Sequence, residues 1–331
     1  MQQKVPHSIQ LLKYILLTSI LICFCSNTPI FHSSTKAIFT SDCTKIETNS
    51  ISSVNDFSFR YHLKKPSNTC LLPKTLKEIS ALSFSLSTQN LISVNDEYPI
   101  IYILDLEQCE IKKRYDFGKK GDYEGIEIND QMVYILKSNG HIYSFDLATE
   151  KARDTYKTPL SQKNDLEGIA FDPNQNELIL ACKAASKIKK PKQSKHTKSF
   201  YAFDLNKKKL KKTPKFSITD KALLQFFKKS PYQKGSKKSR RKFLRRLKSF
   251  SPSAIALHPI DGHFYILSSV GKTLIVASPS GKIKAVQFLN SNLYSQPEGI
   301  CFSPQGKMFI SNEGRSDLAN ILSFEYQEFH E

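Results

Sequence analysis

The sequence predicts an all-β fold, a β-propeller with five blades, and three observations support this. First, one unit occurs five times in the 331 residues: a polar or acidic residue, a small residue, an apolar strand, a turn and a second apolar strand. Second, the units are spaced by 46, 43, 86 and 45 residues, and a period of about 40–45 residues is typical of propeller blades. Third, the apolar residues are mostly Ile, Leu, Phe and Tyr in short runs, which favours strands. The aligned leading residues are Glu78, Glu124, Glu167, Ser253 and Glu298.

The step of 86 residues is twice the period, so a sixth blade is an alternative. That interval holds a Lys-rich segment with little strand signal, and five blades are therefore favoured. Four units also share a similar third strand, at Ile100–Asp105, His141–Asp146, Ser199–Asp204 and Thr273–Ala277.

The last unit, Glu298–Tyr326, offers only three good strands. Propellers commonly close by pairing an N-terminal strand with the last blade, which removes an exposed sheet edge. Phe57–Leu63 (FSFRYHL) is predicted to be that strand.

The N-terminus has the pattern of a secretory signal. Lys4 and Lys13 precede an apolar run, Tyr14–Phe24, which is short for a membrane-spanning helix. Cleavage, retention as an anchor, and lipid modification at Cys23 or Cys25 are three alternatives. Residues 1–26 are thus predicted to be a signal peptide or N-terminal membrane anchor, residues 27–55 a tether, and residues 56–331 the propeller domain.

The cysteines beyond the signal show no zinc-binding spacing. Cys182 and Cys301 lie within apolar strands and are predicted to be buried. Cys43 and Cys70 flank the first blade and could form a disulfide in an oxidising compartment.

The positive charge is concentrated in one basic insertion, at about residues 186–250. This block holds 24 of the 49 Lys and Arg residues and two of the 30 acidic residues. Within it, Asp220–Lys229, capped by Thr219, and Ser236–Phe250 are predicted helices. The second has apolar residues on one face and basic residues elsewhere.

This block has three interpretations. It could contact an anionic surface, most plausibly lipid headgroups. Nucleic acid is the generic alternative for such charge, but a signal sequence argues against it, so no nucleic acid is expected. It could also be a solvated insertion whose apolar face packs on the propeller. The candidates for membrane contact are Arg240, Arg241, Lys242, Phe243, Arg245, Arg246 and Leu247.

The repeat also predicts where a ligand site would lie. The innermost strand of a blade and the next strand are antiparallel, so the start of one lies beside the end of the other. Residues at both places should ring one mouth of the central channel. The resulting ligand or metal candidates are Glu78, Asp96, Glu97, Asp122, Glu124, Asp165, Glu167, Lys183, Glu298, Asn312 and Glu313.

Such a ring allows three kinds of role. Its oxygen atoms suit Ca²⁺ or Mg²⁺. Carboxylates with lysine could serve phosphate chemistry. The carboxylates could instead be structural and accept hydrogen bonds from backbone N–H groups between blades. Glu97 and Glu313 do not recur in every repeat, which favours function for these two, whereas His258 and His263 flank a turn predicted at the opposite rim and are weak candidates.

Several short motifs at these strand ends resemble the SdiA-regulated family of bacterial β-propellers, which is related to phytase-like and esterase-like propellers. The matching segments are Glu78-Ile79-Ser80, Asp96-Glu97, Gly121-Asp122-Tyr123-Glu124, Asp165-Leu166-Glu167-Gly168, Lys183, Pro252-Ser253-Ala254-Ile255-Ala256, Gln296-Pro297-Glu298-Gly299 and Asn312-Glu313. The resemblance covers about residues 57–326. The chain departs from it at Ala81 and Ala254, where the family often has glycine, and in its heavier basic block.

The resemblance implies an exported propeller of the bacterial cell envelope, which could be anchored to the plasma membrane, a lipoprotein or periplasmic. No recognised nucleophile or metal motif is present in the sequence. The leading hypothesis is therefore a membrane-associated binding protein that holds a divalent cation and a polar ligand at the acidic mouth. The alternative is a metal-dependent phosphoesterase, motivated by the phytase-like relatives and by Lys137 and Lys183 near the carboxylates.

Overall fold

A computed structural model of the chain describes residues 57–189 and 196–328, and they form a propeller of five four-stranded blades, one of them with a divided outer strand. The predicted five-bladed fold is confirmed, and the described residues contain no sixth blade. The strands are β1 (Asn68–Leu71), β2 (Ile79–Phe84), β3 (Leu91–Asn95), β4 (Ile100–Asp105), β5 (Glu110–Asp116), β6 (Tyr123–Asn129), β7 (Met132–Lys137), β8 (His141–Asp146), β9 (Lys151–Lys157), β10 (Leu166–Asp172), β11 (Glu177–Cys182), β12 (Thr197–Asp204), β13 (Lys209–Leu210), β14 (Phe216–Thr219), β15 (Ala254–Leu257), β16 (Phe264–Ser268), β17 (Thr273–Ala277), β18 (Ile283–Phe288), β19 (Pro297–Phe302), β20 (Met308–Asn312) and β21 (Asn320–Phe324).

Blades one to four follow the chain in order, as β2–β5, β6–β9, β10–β14 and β15–β18, each an antiparallel meander from the channel outward. In blade three the outer strand is divided into β13 and β14, which both pair with β12. The five innermost strands are β2, β6, β10, β15 and β19, and each packs against the next in a closed ring.

Blade five is closed by β1, which pairs antiparallel with β21 and brings Cys70 opposite Ile321. The prediction that Phe57–Leu63 supplies this strand was wrong, because that segment is irregular. Its aromatic side chains pack beneath blades four and five instead. The Tyr61 hydroxyl donates to the carbonyl of Gly306 at 2.5 Å and lies 2.6 Å from Nε2 of buried His258, at the rim opposite the starts of the innermost strands.

Small residues let the innermost strands meet at the channel axis. They are Ala81, Gly125, Gly168, Ala254 and Gly299. A Cβ atom added to Gly168 would lie 3.0 Å from the backbone nitrogen of Ile255 and 3.1 Å from Cα of Ala254. The free volume at this level is only about 10 Å³. The channel is therefore narrow at this level.

The described residues contain two α-helices, α1 (Asp220–Lys229) and α2 (Lys237–Lys248), both in the basic block after β14. Oγ1 of Thr219 accepts from the backbone N–H of Ala222 at 3.1 Å, which confirms the predicted cap. Leu223 and Phe227 of α1 and Leu247 of α2 are buried in the core shared by blades three and four. Short 3₁₀ turns lie at Lys74–Leu76 and Pro231–Lys234.

A disulfide joins Cys70 in β1 to Cys109 in the turn between β4 and β5, with Cα atoms 5.3 Å apart. The possible pairing of Cys70 with Cys43 is therefore wrong, because the closing strand brings Cys70 beside blade one. Cys43 itself lies outside the described residues. Cys182 and Cys301 are free and buried, as predicted.

In residues 57–189 and 196–328, no helix is long and apolar enough to cross a membrane. The predicted signal peptide or anchor and the tether lie outside these residues.

Candidate functional site

The mouth is built where the innermost strand of each blade begins and the second strand ends. Ile79 lies opposite Asn95, Tyr123 opposite Lys137, and Leu166 opposite Cys182. Pro297 and Asn312 are paired in the same way in blade five. The predicted juxtaposition of strand starts and strand ends is thus confirmed.

In four blades the pairing between the first and second strands skips one residue just after the first strand begins, and this skip is a β-bulge. The skipped residues are Ser80, Glu124, Glu167 and Glu298. A bulge re-aims a side chain out of the regular alternation. Ser80 therefore holds the blade-one position that the sequence alignment gave to Glu78. Together with Ser253 of blade four, these residues are called the inner ring.

Glu78 instead belongs to a second tier of residues at the rim, together with Asp122, Asp165 and Gln296. The backbone carbonyls of these residues accept hydrogen bonds from the backbone N–H groups that follow the second strands. The N–H of Asp96 donates to the carbonyl of Glu78 at 3.2 Å, and the N–H of Lys183 donates to the carbonyl of Asp165 at 2.7 Å.

The three inner-ring glutamates form a carboxyl cluster with one cation. Nζ of Lys183 lies 2.5 Å from Oε1 of Glu167, which is 6% exposed. Burial, the charge of Glu167 and a hydrogen bond with Asp122 raise the pKa of Glu124. Burial raises the pKa of Glu167 against the attraction of Lys183, and the charge of Glu298 adds to the rise. Burial raises the pKa of Glu298 to about 7, and Lys183 and the Ser269 hydroxyl limit the rise.

The predicted structural role, accepting backbone N–H groups between blades, is not found for these glutamates in the part of the chain that the structure describes, although Glu124 accepts from the Ser80 hydroxyl of blade one at 3.2 Å and Glu298 from the Ser269 hydroxyl of blade four. In the described residues no backbone N–H donates to their side chains. Glu127 does have that structural role, since it accepts from the N–H of Phe171 in blade three at 3.1 Å and from Ser83 in blade one at 2.5 Å.

The two inner-ring serines are also structural. Ser80 donates to Glu124 at 3.2 Å. Ser253 donates to the carbonyl of Pro297 at 2.8 Å and so links blades four and five. The inner ring therefore combines two hydrogen-bonded serines with three glutamates that, among the described residues, accept no backbone N–H from a neighbouring blade.

A second acidic group lies at the rim between blades five and one. Burial and the charges of Glu78 and Glu313 raise the pKa of Asp96 to about 6. Oδ1 of Asp96 and Oδ1 of Asn312 are buried without a hydrogen-bond partner among the described residues. Glu97 is exposed beside this group.

The predicted candidates thus divide between two neighbouring groups rather than forming one ring. Glu124, Glu167, Glu298 and Lys183 interact directly, with Asp165 adding charge beside them. The Asp122 carboxylate accepts a hydrogen bond from the Ser138 hydroxyl. Burial acts to raise the pKa of Asp122, but this and other hydrogen bonds outweigh burial, so the pKa is lowered. In the described residues no three His, Cys, Asp or Glu side chains converge in a way that could hold a metal ion.

A pocket of about 410 Å³ opens beside the cluster, over blades three, four and five. Sequence reasoning placed Lys183, Ser253, Gln296 and Glu298 at this mouth but missed Ser269, Val270, Lys272 and Arg315, which lie in turns beyond the second strands. The lining residues are Lys183, Ser251, Pro252, Ser253, Ser269, Val270, Lys272, Gln296, Glu298 and Arg315. The missed residues could have been found by extending the search from the end of each second strand a few residues into the following turn.

The predicted membrane-contact residues lie on different faces of α2. Four basic side chains, Arg240, Arg241, Lys242 and Arg245, are exposed. The other three face the propeller. Leu247 is buried, and the ring of Phe243 stacks on Phe288 with centroids 4.4 Å apart. Arg246 donates to the carbonyls of Gly271 and Leu289, each at 2.8 Å.

A comparison with models of protein families gives one match that decides the family. The SdiA-regulated model matches residues 58–315, which is most of the chain and all five blades in part or whole. The chain belongs to the SdiA-regulated family. The resemblance inferred from the strand-end motifs is confirmed.

Comparison of this SdiA-regulated chain with solved structures also gives matches. One is the PQQ-bound aldose sugar dehydrogenase of Streptomyces coelicolor, with 14% sequence identity and a TM-score of 0.45. The alignment covers 80% of this chain and 98% of that one. A search of curated proteins gave no match.

Proposed function

We propose that this SdiA-regulated propeller is an exported, membrane-associated envelope protein that binds a polar ligand at its mouth. The observation that carries the proposal is the cluster of Glu124, Glu167 and Glu298. Burying a carboxyl group without full hydrogen bonding or charge pairing opposes folding. Three such groups with one lysine are therefore better explained by a ligand that they contact than by the stability of the blades.

Export is supported by the disulfide between Cys70 and Cys109. Disulfides form and persist mainly in oxidising compartments such as the bacterial periplasm. The charged and apolar N-terminal pattern agrees with this location.

A divalent cation is part of the proposal only as a co-ligand. Since no three protein groups converge on a metal position in the described residues, Ca²⁺ or Mg²⁺ would need oxygen atoms from the bound ligand as well. No observation favours hydrolysis of a phosphoester over binding, so binding is the function proposed.

The test is a thermal melt of the full chain with polar compounds of three charge classes. These are glucose as the neutral class, Ca²⁺, Mg²⁺ and spermidine as the cationic class, and gluconate and glucose 6-phosphate as the anionic class. A ligand that binds only the folded state raises Tm with its concentration. We expect at least one class to raise Tm in the wild type and in Glu110→Gln, an exposed control in β5, but not in Glu298→Gln. No shift with any class would refute the proposal.

Membrane association is proposed through the exposed basic face of α2. Because its apolar residues pack on the propeller, the contact would be electrostatic, worth about 1 kcal/mol per basic residue near an anionic surface. Changing Arg240, Arg241 and Arg245 to Glu should weaken binding of the full chain to phosphatidylserine vesicles at least about tenfold.

Two controls isolate this effect. Binding to phosphatidylcholine vesicles should not change. Reversing three exposed lysines elsewhere, Lys151, Lys209 and Lys282, should have a much smaller effect. Equal loss from both triple variants would show that only net charge matters and would refute a docking role for α2.

A further inference from the structure

The pocket beside the carboxyl cluster contains two cations that form no ion pair among the described residues, although Glu298 attracts Lys272 and Glu313 attracts Arg315. Lys272 and Arg315 line it, and neither forms an ion pair with any residue in the described ranges. Nζ of Lys272 donates to the carbonyl of Ser295 at 2.6 Å, and Nε of Arg315 donates to Oε1 of Gln296. Both bonds leave donor hydrogens on each side chain free, because an ammonium has three and a guanidinium five.

These cations also repel each other. Burial and the positive charge of Arg315 lower the pKa of Lys272, against the attraction of Glu298. Lys183 adds a third cation to the pocket wall, although it also forms an ion pair with Glu167. An anionic group between them would relieve the repulsion and accept the free hydrogens. Charge-assisted hydrogen bonds of this kind are roughly twice as strong as neutral ones.

We propose that the pocket binds a small hydroxylated organic anion, whose carboxylate or phosphate group is held by Lys183, Lys272 and Arg315. The inference rests on the proposed function and specifies the class of ligand. The volume of about 410 Å³ lies within the usual range for small-molecule sites.

The remaining lining residues suit the rest of such a molecule. Glu298 and Gln296 offer acceptors for hydroxyl groups on the side nearest the carboxyl cluster. Val270, which is 68% exposed, and Pro252 form an apolar wall that would contact ligand carbon atoms. An isolated inorganic anion would leave these surfaces unused.

The basic insertion builds one wall of this pocket. Arg246 of α2 donates to the backbone carbonyls of Gly271 and Lys272, in the turn that carries Val270 and Lys272. The close approach leaves no space for a side chain at Gly271, where an added Cβ would lie 2.9 Å from the carbonyl oxygen of Arg246. Arg246 is therefore a positioning residue for the cationic wall.

The test is isothermal titration of the full chain with four probes: gluconate, glucose 6-phosphate, inorganic phosphate and glucose. Gluconate and glucose 6-phosphate separate a carboxylate from a phosphate preference. We expect one of them to bind more tightly than inorganic phosphate, and glucose not to bind. Arg315→Gln and Lys272→Gln should each weaken that binding about tenfold to a hundredfold. The matched controls Arg114→Gln and Lys151→Gln, exposed on outer strands, should leave it unchanged.

The outcomes separate this inference from the proposed function. If an anionic probe binds the wild type and this binding is lost in Arg315→Gln and Lys272→Gln, the proposed function and the anion pocket are both supported. Binding of glucose, or a thermal shift with Ca²⁺, Mg²⁺ or spermidine, that depends on Glu298 but not on Arg315 or Lys272 overturns the anion pocket and keeps the ligand site. Binding of inorganic phosphate as tightly as both organic anions overturns the hydroxylated class. No binding by any of the four probes, together with no thermal shift for any cationic compound, overturns both. Circular dichroism melts of each variant identify any loss that is due to unfolding.

Discussion

Replacing Cys109 with serine should lower the free energy of unfolding by about 4 kcal/mol. The disulfide closes a loop with a sequence separation of 39 residues, and the chain-entropy estimate for such a loop is of this size. The bond also joins the short closing strand β1 to blade one, whereas β21 is the one strand partner of β1 among the described residues. Its loss therefore weakens the closure of the ring as well as the constraint on the unfolded chain.

Urea unfolding of the wild type and of Cys109→Ser, each with and without dithiothreitol, measures this effect. Reductant should shift the wild-type midpoint to that of the variant and should leave the variant unchanged. Cys109 is the better position for the change because it is partly exposed, whereas Cys70 is buried and a hydroxyl there would add its own cost. A wild type whose midpoint does not respond to reductant would show that the disulfide does not stabilise the fold.

The sequence predicted the blades because each one repeats the same pattern of apolar strands and turns. It did not predict how the ring closes. Phe57–Leu63 has the apolar residues expected of a strand, but they are buried against other side chains without joining the backbone ladder. The real closing strand, Asn68–Leu71, buries only one side chain, so its composition carries almost no strand signal.

The candidate site shows the same division between local pattern and tertiary placement. The strand-end rule identified the glutamates of the inner ring, because their position is set by the repeat. The bulge that puts Ser80 rather than Glu78 in line with Glu124 depends on a skip of one residue in strand pairing, which the sequence does not display. Lys272 and Arg315 lie in turns, where the direction of a side chain depends on contacts from elsewhere, including those of Arg246.

The carboxyl cluster leads to a prediction about stability and pH. The pKa of Glu298 is about 7 in the folded protein, against an ordinary value of 4.5, chiefly because of burial. Between these two values the folded protein keeps a proton that the unfolded chain releases. The contribution of Glu298 to stability should therefore fall as pH rises from about 4.5 to 7, and its cost should be fully present above pH 7.

Glu298→Gln removes this titration. At pH 8 the variant should be more stable than the wild type by about 2 kcal/mol, since each pKa unit corresponds to about 1.4 kcal/mol and partial solvent access reduces the effect. At pH 4 the two proteins should be equally stable. Denaturant unfolding at a series of pH values gives the difference directly. Titrations remote from position 298 cancel, whereas Glu167, whose pKa the charge of Glu298 raises, adds to the difference with the same sign. Glu110→Gln, at an exposed position in β5, should follow the wild type throughout.

The sign of this difference separates the two roles that the sequence left open for the mouth carboxylates. A structural carboxylate stabilises the folded state when ionised, so its amide variant would be less stable at pH 8. A carboxylate retained for a ligand opposes folding until the ligand arrives, so its amide variant is more stable and binds less well. Lower stability of Glu298→Gln at pH 8 would thus remove the observation that carries the proposed function. Higher stability of Glu298→Gln combined with lost ligand binding would establish that Glu298 lowers the stability of the fold and is required to bind the ligand.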